Sequence, residues 1–405
     1  MRPIRPIAFL LALAFALATV FAAQARSLYD LAPITTEVQR QVQLYSLPGA
    51  TLRLDTPGSV VYQQDFGSYT PSTRIPIASA SKWLSALVIA RLVEKHEMEW
   101  QDPVGAYFPD APPATRAITL RQLFSHTSGL PGNGDAPCLS QRTVTLDTCA
   151  RQILQMPMIA APGQVFAYGG NSMQVAGRMA EIASGRSWDQ LFVDEMVVPL
   201  GLTGTDYATA SLQPGYVSTN NPRIAGGVRS TVADYARVLD MLLAGGLAPS
   251  GRFLDSTTLD YMALDHSAGT VIAYTPYPES LGYGIGQWRE AEDARGVAYR
   301  VSSPGAYGTY PFVDRQQGVS GVYLVLGDLG KMKSDEIALI QLCLRQLDFV
   351  RGTLPPPQMS PATQITAPTP VKSTTSAAPA TKTTRDTTRP APRKIYFLDG
   401  SRGDH

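Results

Sequence analysis

A serine and a lysine three residues apart open an apolar helix pattern. The stretch is Ile77-Ala78-Ser79-Ala80-Ser81-Lys82-Trp83, and it runs directly into Trp83 to Val93. At this spacing the two side chains share one face of a helical first turn. The helix N-terminus puts partial positive charge beside the Ser79 oxygen, favouring a developing alkoxide or oxyanion. A lysine folded into apolar surroundings loses hydration of its charged form, so its pKa falls from about 10.4 toward neutrality. Such a lysine can accept a proton from serine and build a nucleophile without histidine. The bland alternative is that Ser79 caps the helix while Lys82 snorkels to solvent. The S-x-x-K spacing alone arises about once by chance in a chain this long. Of the lysines at 82, 95, 331, 333, 372, 382 and 394, however, only Lys82 follows a serine at that distance and opens an apolar helix.

The ends of the chain read differently from its middle. Residues 1–25 have the form of a cleavable secretory signal, with Arg2 and Arg5 as the basic region and Ile7 to Phe21 as the apolar region. Ala23-Gln24-Ala25 supplies the small-x-small site, so cleavage is expected after Ala25 and export to a periplasm or beyond. From Thr353 to Lys394 the chain is Pro, Thr, Ala and Ser with scattered base, a composition that cannot bury a core and is expected to be disordered. Ile395 to Leu398 is apolar enough to dock, and Arg402-Gly403-Asp404 reads as accidental. The formal charge of +1 hides an asymmetry: residues 353–405 hold seven Lys/Arg against three Asp, and the signal adds two arginines, which leaves residues 26–352 near −5. That excludes a basic face for nucleic acid in the core. Four histidines, His96, His126, His266 and His405, show no metal-ligand spacing, so neither a metal nor another cofactor is expected. Cys138 and Cys149 share a polar, Gly/Pro-bearing stretch and are the disulfide candidates; Cys343 reads as a buried thiol.

Residues 26–352 read as one large domain. Glu37 to Leu44 forms a short helix, then Ala50 to Leu54 and Ser59 to Gln64 form strands around the turn Asp55-Thr56-Pro57-Gly58. From about 103 to 204 the pattern is short helices and loops, including a helix over Gln174 to Ala183. Ser230-Thr231 caps a helix through Leu243. The pattern returns to β around Leu281 to Gly286, followed by strands Val297 to Ser302, Tyr310 to Asp314 and Val319 to Leu326. Ser334 to Val350 is a closing amphipathic helix. Strands at both ends and helices between predict an α+β, three-layer sandwich: a mostly antiparallel sheet built from both chain ends, flanked by helices, with a mainly helical inserted region.

In family order and at family-like spacing, five segments resemble the serine β-lactamase and penicillin-binding-protein superfamily, closest to its class C β-lactamase, DD-peptidase and esterase branch. They are Ile77 to Lys82, Leu123 to Pro131 (L-F-S-H-T-S-G-L-P), Pro162-Gly163 through Tyr168 to Gly185, Gly226 to Thr231, and Gly305 to Thr309. The resemblance implies acylation of Ser79 by a carbonyl substrate, with Lys82 and the Tyr168 phenol relaying protons; which of them is the base stays open. It also implies an oxyanion hole from the backbone N–H groups of Ser79 and Ala306, and no metal. Tyr168 read by itself is a core tyrosine. A Ser-His-Asp alternative through His126 lacks a G-x-S-x-G elbow, and a Cys138/Cys149 redox pair lacks C-x-x-C spacing.

Two departures bear on substrate. Where the family has Tyr-x-Asn, this chain reads Tyr168-Gly169-Gly170, with Asn171 one place late. Where the family has Lys or His before x-Gly, it reads Ser303-Pro304-Gly305. Gly170, Asn171, Ser303 and Gly305 are therefore the substrate-binding candidates. An amide-holding asparagine and a carboxylate-meeting cation are both missing, which favours a small ester over a lactam. The expectation is an exported serine hydrolase acting on a small ester or amide. The alternatives are a DD-peptidase or D-amino-acid peptidase on cell-wall peptides, and a non-catalytic binding protein whose basic tail touches envelope polyanions.

Overall fold

The structure, a computed structural model, describes residues 30–351 apart from 133, 135, 142 and 208–218. The expected signal (1–25) and tail (353–405) lie outside the described residues. Helix α1 (Ala32–Leu44) leads into strands β1 (Gly49–Thr56) and β2 (Ser59–Gly67). Gly58 makes the turn between them with φ of 74°, a left-handed conformation that favours glycine. The nucleophile segment leads into α2 (Ser81–Glu94), and α3 (Leu146–Leu154), α4 (Asn171–Ser184) and α5 (Val232–Leu243) follow. The chain closes with β3 (Trp288–Glu292), β4 (Ala298–Ser302), β5 (Tyr310–Asp314), β6 (Val319–Val325) and α6 (Leu329–Arg351).

The six strands form one antiparallel sheet in the order β3-β4-β5-β6-β1-β2. Its centre joins the two ends of the chain, β1 to β6, from Ala50 opposite Val325 to Asp55 opposite Ser320. Alternation along β6 builds the layers. Val319, Tyr323 and Val325 pack with Ile34 and Val38 of α1 and Leu339 and Cys343 of α6. Val322 and Leu324 face the larger core that contains α2 and α5. The fold is thus the expected α+β sandwich, with short helices and α3 and α4 between α2 and α5.

Local signals explain most boundaries. Thr231 Oγ1 accepts from the Asp234 N–H at 3.2 Å and caps α5, while Gly185 ends α4 with φ of 70°. Three readings are corrected. Leu281 to Gly286 is not a strand. Gly286 has φ of 73° and presses on α2, where a Cβ would stand 2.4 Å from the Ala86 methyl. The strand is the next segment, β3, at the edge of the sheet. Finally, α1 and α6 each begin at least a turn earlier than expected; Asp328 Oδ1 accepts from the Gly330 N–H at the start of α6. Cys138 and Cys149 are bonded to each other, tying a loop to α3, and Cys343 is a buried thiol whose pKa burial pushes up.

Candidate active site

The nucleophile turn is held from four sides. Ser79 lies in a 3-10 turn, Ala78–Ala80, that feeds α2. The strand before it, Ile75–Pro76, pairs with Val228–Ser230, and the Ile77 N–H bonds Val228 O at 3.0 Å. Ser81 Oγ donates to Ala78 O at 2.6 Å and accepts from the Val228 N–H at 3.1 Å. The Tyr235 hydroxyl of α5 donates to Ala80 O, and Ser303 Oγ donates to Ser79 O at 3.3 Å. Ala78 has φ of 47°, a strained left-handed setting for a residue with a Cβ, placed directly before Ser79.

Lys82 projects from the first turn of α2 and is 3% exposed. Its Nζ donates to Ser79 Oγ at 3.0 Å and to Ala225 O at 3.1 Å. Neither the 3-10 turn nor α2 has a side-chain cap. Ser79 is therefore no cap and Lys82 no snorkel, and the bland alternative fails. Lys82 Nζ also stands 4.6 Å from the centroid of the Tyr168 ring. Tyr168 follows the short strand Val165–Ala167, which pairs in parallel with Val271–Tyr274, and its N–H bonds Tyr274 O at 3.1 Å. Its ring stacks on Trp288, with Tyr283 edge-on behind.

Ser79, Lys82 and Tyr168 open onto one cavity of about 290 Å³, bordered also by Gly170, Arg223, Gly226, Tyr274, Ala306 and Tyr307. Two wider clefts, about 840 and 880 Å³, contain none of the three. Ala306 sits exposed in the β4–β5 turn, where the Gly305 N–H bonds Thr309 O and the Gly308 N–H bonds Gly305 O.

Three of the substrate-binding candidates do not border the cavity. Asn171 is buried at the start of α4: its Oδ1 accepts from the Ala136 N–H at 2.8 Å, and its Nδ2 donates to Pro131 O at 2.9 Å and Gly134 O at 3.3 Å. It holds the backbone of Pro131, Gly134 and Ala136 and does not border the cavity. Ser303 is buried beneath Ser79. Gly305 passes so close to Ile77 that a Cβ would lie 2.1 Å from its carbonyl oxygen. Gly170 does border the cavity, as the residue before α4. His126 is no general base for Ser79. Its buried ring packs on Tyr168, Tyr283 and Phe166, Nδ1 faces Ser172 Oγ at 3.4 Å, and Nε2 has no partner among the described residues. Burial, with the Lys82 charge, holds it well below the ordinary histidine range. Three further residues border the cavity: Tyr307 lies inside the Gly305 to Thr309 segment, Arg223 three residues before Gly226, and Tyr274 arrives on a strand with no sequence pattern.

The Beta-lactamase family model matches residues 34–342. The chain belongs to this family of serine hydrolases. It is similar to penicillin-binding protein 4 of Amycolatopsis lactamdurans, 26% identical over 279 residues that cover 59% of this chain and 71% of that one. It is equally similar to the D-alanyl-D-alanine-carboxypeptidase/endopeptidase AmpH of Escherichia coli (strain K12), 26% identical over 281 residues, 62% of this chain and 70% of that one. Among solved structures, a protein of Bacteroides dorei DSM 17855 assigned to the β-lactamases superposes with a TM-score of 0.72 at 32% identity, over 79% of this chain and 99% of that one. EstCE1, a hydrolase with promiscuous acyltransferase activity, shares the fold, with a TM-score of 0.64 at 20% identity over 80% and 99%.

Proposed function

We propose that this protein is an exported serine hydrolase that forms an acyl-enzyme on Ser79 and hydrolyses a small ester or amide, esters preferred. The observation that carries the reading is the 3.0 Å hydrogen bond from Lys82 Nζ to Ser79 Oγ at the cavity wall. Ser79 Oγ attacks the substrate carbonyl carbon, and its proton passes into the Lys82–Tyr168 pair. The carbonyl oxygen becomes an oxyanion, received by the backbone N–H groups of Ser79 and Ala306, which both border the cavity. Collapse breaks the bond to the leaving group, which takes the proton. Water, deprotonated by the same pair, then attacks the acyl carbon and frees the acid and Ser79. The ester preference rests on Gly170, which offers no side-chain amide to hold a substrate amide. Export rests on the signal pattern, and the Cys138–Cys149 bond is compatible with an oxidising compartment.

The test is intact-mass analysis of the protein and its Ser79→Ala variant after exposure to a fluorophosphonate. One adduct on the wild type, absent from the variant, is the expected result. No adduct on folded wild type overturns the reading in favour of a binding protein. The similarity to AmpH favours a second substrate reading, a D-alanyl peptidase, which short-chain esters and D-alanyl peptides offered side by side distinguish.

A further inference from the structure

A second cavity, of about 280 Å³, lies beside the Ser79 cavity and shares no described lining residue with it. Both are laid along the ribbon formed by Val165–Ala167 and Val271–Tyr274. Phe166 and Ile272, opposite each other in its register, line the second cavity, while Tyr168 and Tyr274, two residues on, border the first. The segment after the ribbon folds back on it. Lys333 Nζ donates to Pro276 O at 2.6 Å and stands 4.3 Å from the centroid of the Tyr277 ring, and the Leu281 N–H bonds Arg289 O at 2.8 Å. Tyr277 and Leu281 thereby close the cavity against Trp288, the first residue of β3.

The chemistry of the walls selects an occupant. Phe166, Tyr277 and Trp288 are buried aromatic rings, and Ile272 and Leu281 supply aliphatic surface. No charged residue lines this cavity among the described residues. Of its hydroxyls, Ser267 Oγ donates to Asp265 Oδ1 at 2.6 Å and Ser280 Oγ to Tyr277 O at 2.9 Å. Thr275 Oγ1 accepts from the Tyr277 N–H at 3.1 Å, and its own hydrogen has no acceptor among the described residues. An apolar cavity of about 150 Å³ is enough for benzene, so this one has room for two fused rings. Aromatic walls favour a flat ring met edge-on or offset. Walls without charge give an ion nothing in return for the hydration it loses.

Trp288 is common to this cavity and to the catalytic phenol. The centroid of its ring lies 5.2 Å from that of Tyr277 and 5.0 Å from that of Tyr168. Whatever packs on Trp288 here therefore bears on the position of Tyr168.

We propose that this cavity is a second binding site, which takes an uncharged aromatic molecule of one or two rings with a hydrogen-bond acceptor, and that its occupant sets the turnover rate of Ser79 through Trp288 and Tyr168. The binding half stands without the hydrolase reading; the effect on turnover rests on it. A bound ring adds contacts on the indole that already packs on the Tyr168 phenol, and a shift near 1 Å there is enough to change the rate. The cavity borders neither Ser79 nor Lys82, so kcat moves and KM does not.

The experiment titrates quinoline, a neutral two-ring molecule with one acceptor nitrogen, into Ser79→Ala by calorimetry, with quinoline-6-carboxylate as the charged comparison. We expect saturable binding with a Kd of about 0.1–1 mM. The carboxylate should bind about tenfold more weakly or worse. Leu281→Glu, which sets a carboxylate in the wall, and Ile272→Ala, which removes aliphatic surface, should each weaken quinoline by about fivefold or more. Neither residue borders the Ser79 cavity, so both variants should turn over like wild type in the absence of quinoline. With wild type and a short-chain alkyl ester, whose leaving group needs a proton, saturating quinoline should change kcat by about fivefold or more at constant KM. Absence of saturable binding, binding that neither variant weakens, or carboxylate binding as tight as that of quinoline overturns the site. A rise in KM alone puts quinoline at Ser79 and overturns it too. Binding without any change in kcat overturns the link to Tyr168. Quinoline binding without a fluorophosphonate adduct on wild type keeps the site and removes the hydrolase; an adduct without quinoline binding does the reverse.

Discussion

Trp288 lies against Tyr168 with ring centroids 5.0 Å apart and planes 29° from parallel, while Lys82 Nζ stands 4.6 Å from the centroid of the same Tyr168 ring. The phenol is thus positioned jointly by the first residue of β3 and the first turn of α2. Tyr283 and His126 complete the surround at 5.9 and 4.7 Å. Trp288 is not among the described residues that border the cavity, and of the rings it packs on, Tyr168, Phe166, Tyr277 and Tyr283, only Tyr168 borders it. Trp288→Phe should keep the stack and most activity. Trp288→Leu should lower kcat by about ten- to a hundredfold, because a displacement near 1 Å is enough for such a loss. KM should change little, and the alkaline limb of the pH–rate profile should move. A loss confined to KM or to protein yield would remove the positioning role.

Lys82 reaches Ser79 Oγ directly, and the proposed mechanism is tested first with Lys82 as the base for acylation. Lys82→Ala should lower acylation by about 10²–10⁴-fold on every substrate, with near-UV circular dichroism unchanged. Tyr168→Phe should act differently. An activated aryl ester needs little help in expelling its leaving group, whereas an alkyl ester or amide does. Burst kinetics of Tyr168→Phe should therefore be close to wild type with the aryl ester and strongly slowed with the alkyl ester. Equal slowing on both would transfer the base role to Tyr168.

The chemistry was legible in the sequence wherever one short segment contains it. Ser79 and Lys82 sit within one turn of the same helix entry, so spacing alone placed them together. Residues that long-range pairing delivers were not legible. Tyr274 reaches the cavity on a strand whose Val271 and Tyr274 are exposed, which leaves no alternation to read. Strand β3 was hidden by its charges, because Arg289 is buried yet bonded to Ala263 O, Leu281 O, Gly296 O and Glu292. Asn171 was misplaced for a different reason. Sequence order could not show that the helix begins at this residue and turns its amide away from the cavity.

Asn171 makes a test of that correction. Its three hydrogen bonds hold Pro131, Gly134 and Ala136, and Gly132 and Gly134 border the cavity. Asn171→Ala leaves a buried N–H and two carbonyls to find new partners, a cost of roughly 2–4 kcal/mol. Denaturant titration should show a lower midpoint, and kcat/KM should fall for all substrates alike. A variant of wild-type stability whose activity falls only on amides would restore the substrate-binding role.

Glu336 of α6 provides a pH test of the wall behind the β4–β5 turn. It is 0% exposed, neither carboxyl oxygen has a partner among the described residues, and burial pushes its pKa up to about 9. A Cβ on Gly308, in the turn that carries Ala306, would lie 2.8 Å from its Oε1. Tyr277 and Tyr323, both with buried hydroxyls that have no partner among the described residues, feel its charge as well. Between the ordinary carboxyl range and pH about 9 the unfolded chain has released this proton and the folded chain retains it. The unfolded state then binds fewer protons, so stability must fall as pH rises, with a slope of up to about 1.4 kcal/mol per pH unit from this group. Asp189 and Asp240, raised to about 6, finish titrating near the lower end of the window. His126, His266 and Cys343 also titrate differently in the folded and unfolded chain, so over the interval from about 6 to 9 the comparison with Glu336→Gln, in which those contributions cancel, is what isolates Glu336. Glu336→Gln keeps the shape and removes the ionisation, so its stability relative to wild type should climb steadily across the interval and level off above it. Parallel stability curves for the two proteins would mean that Glu336 is ionised in the folded state and that a counter-charge reaches it.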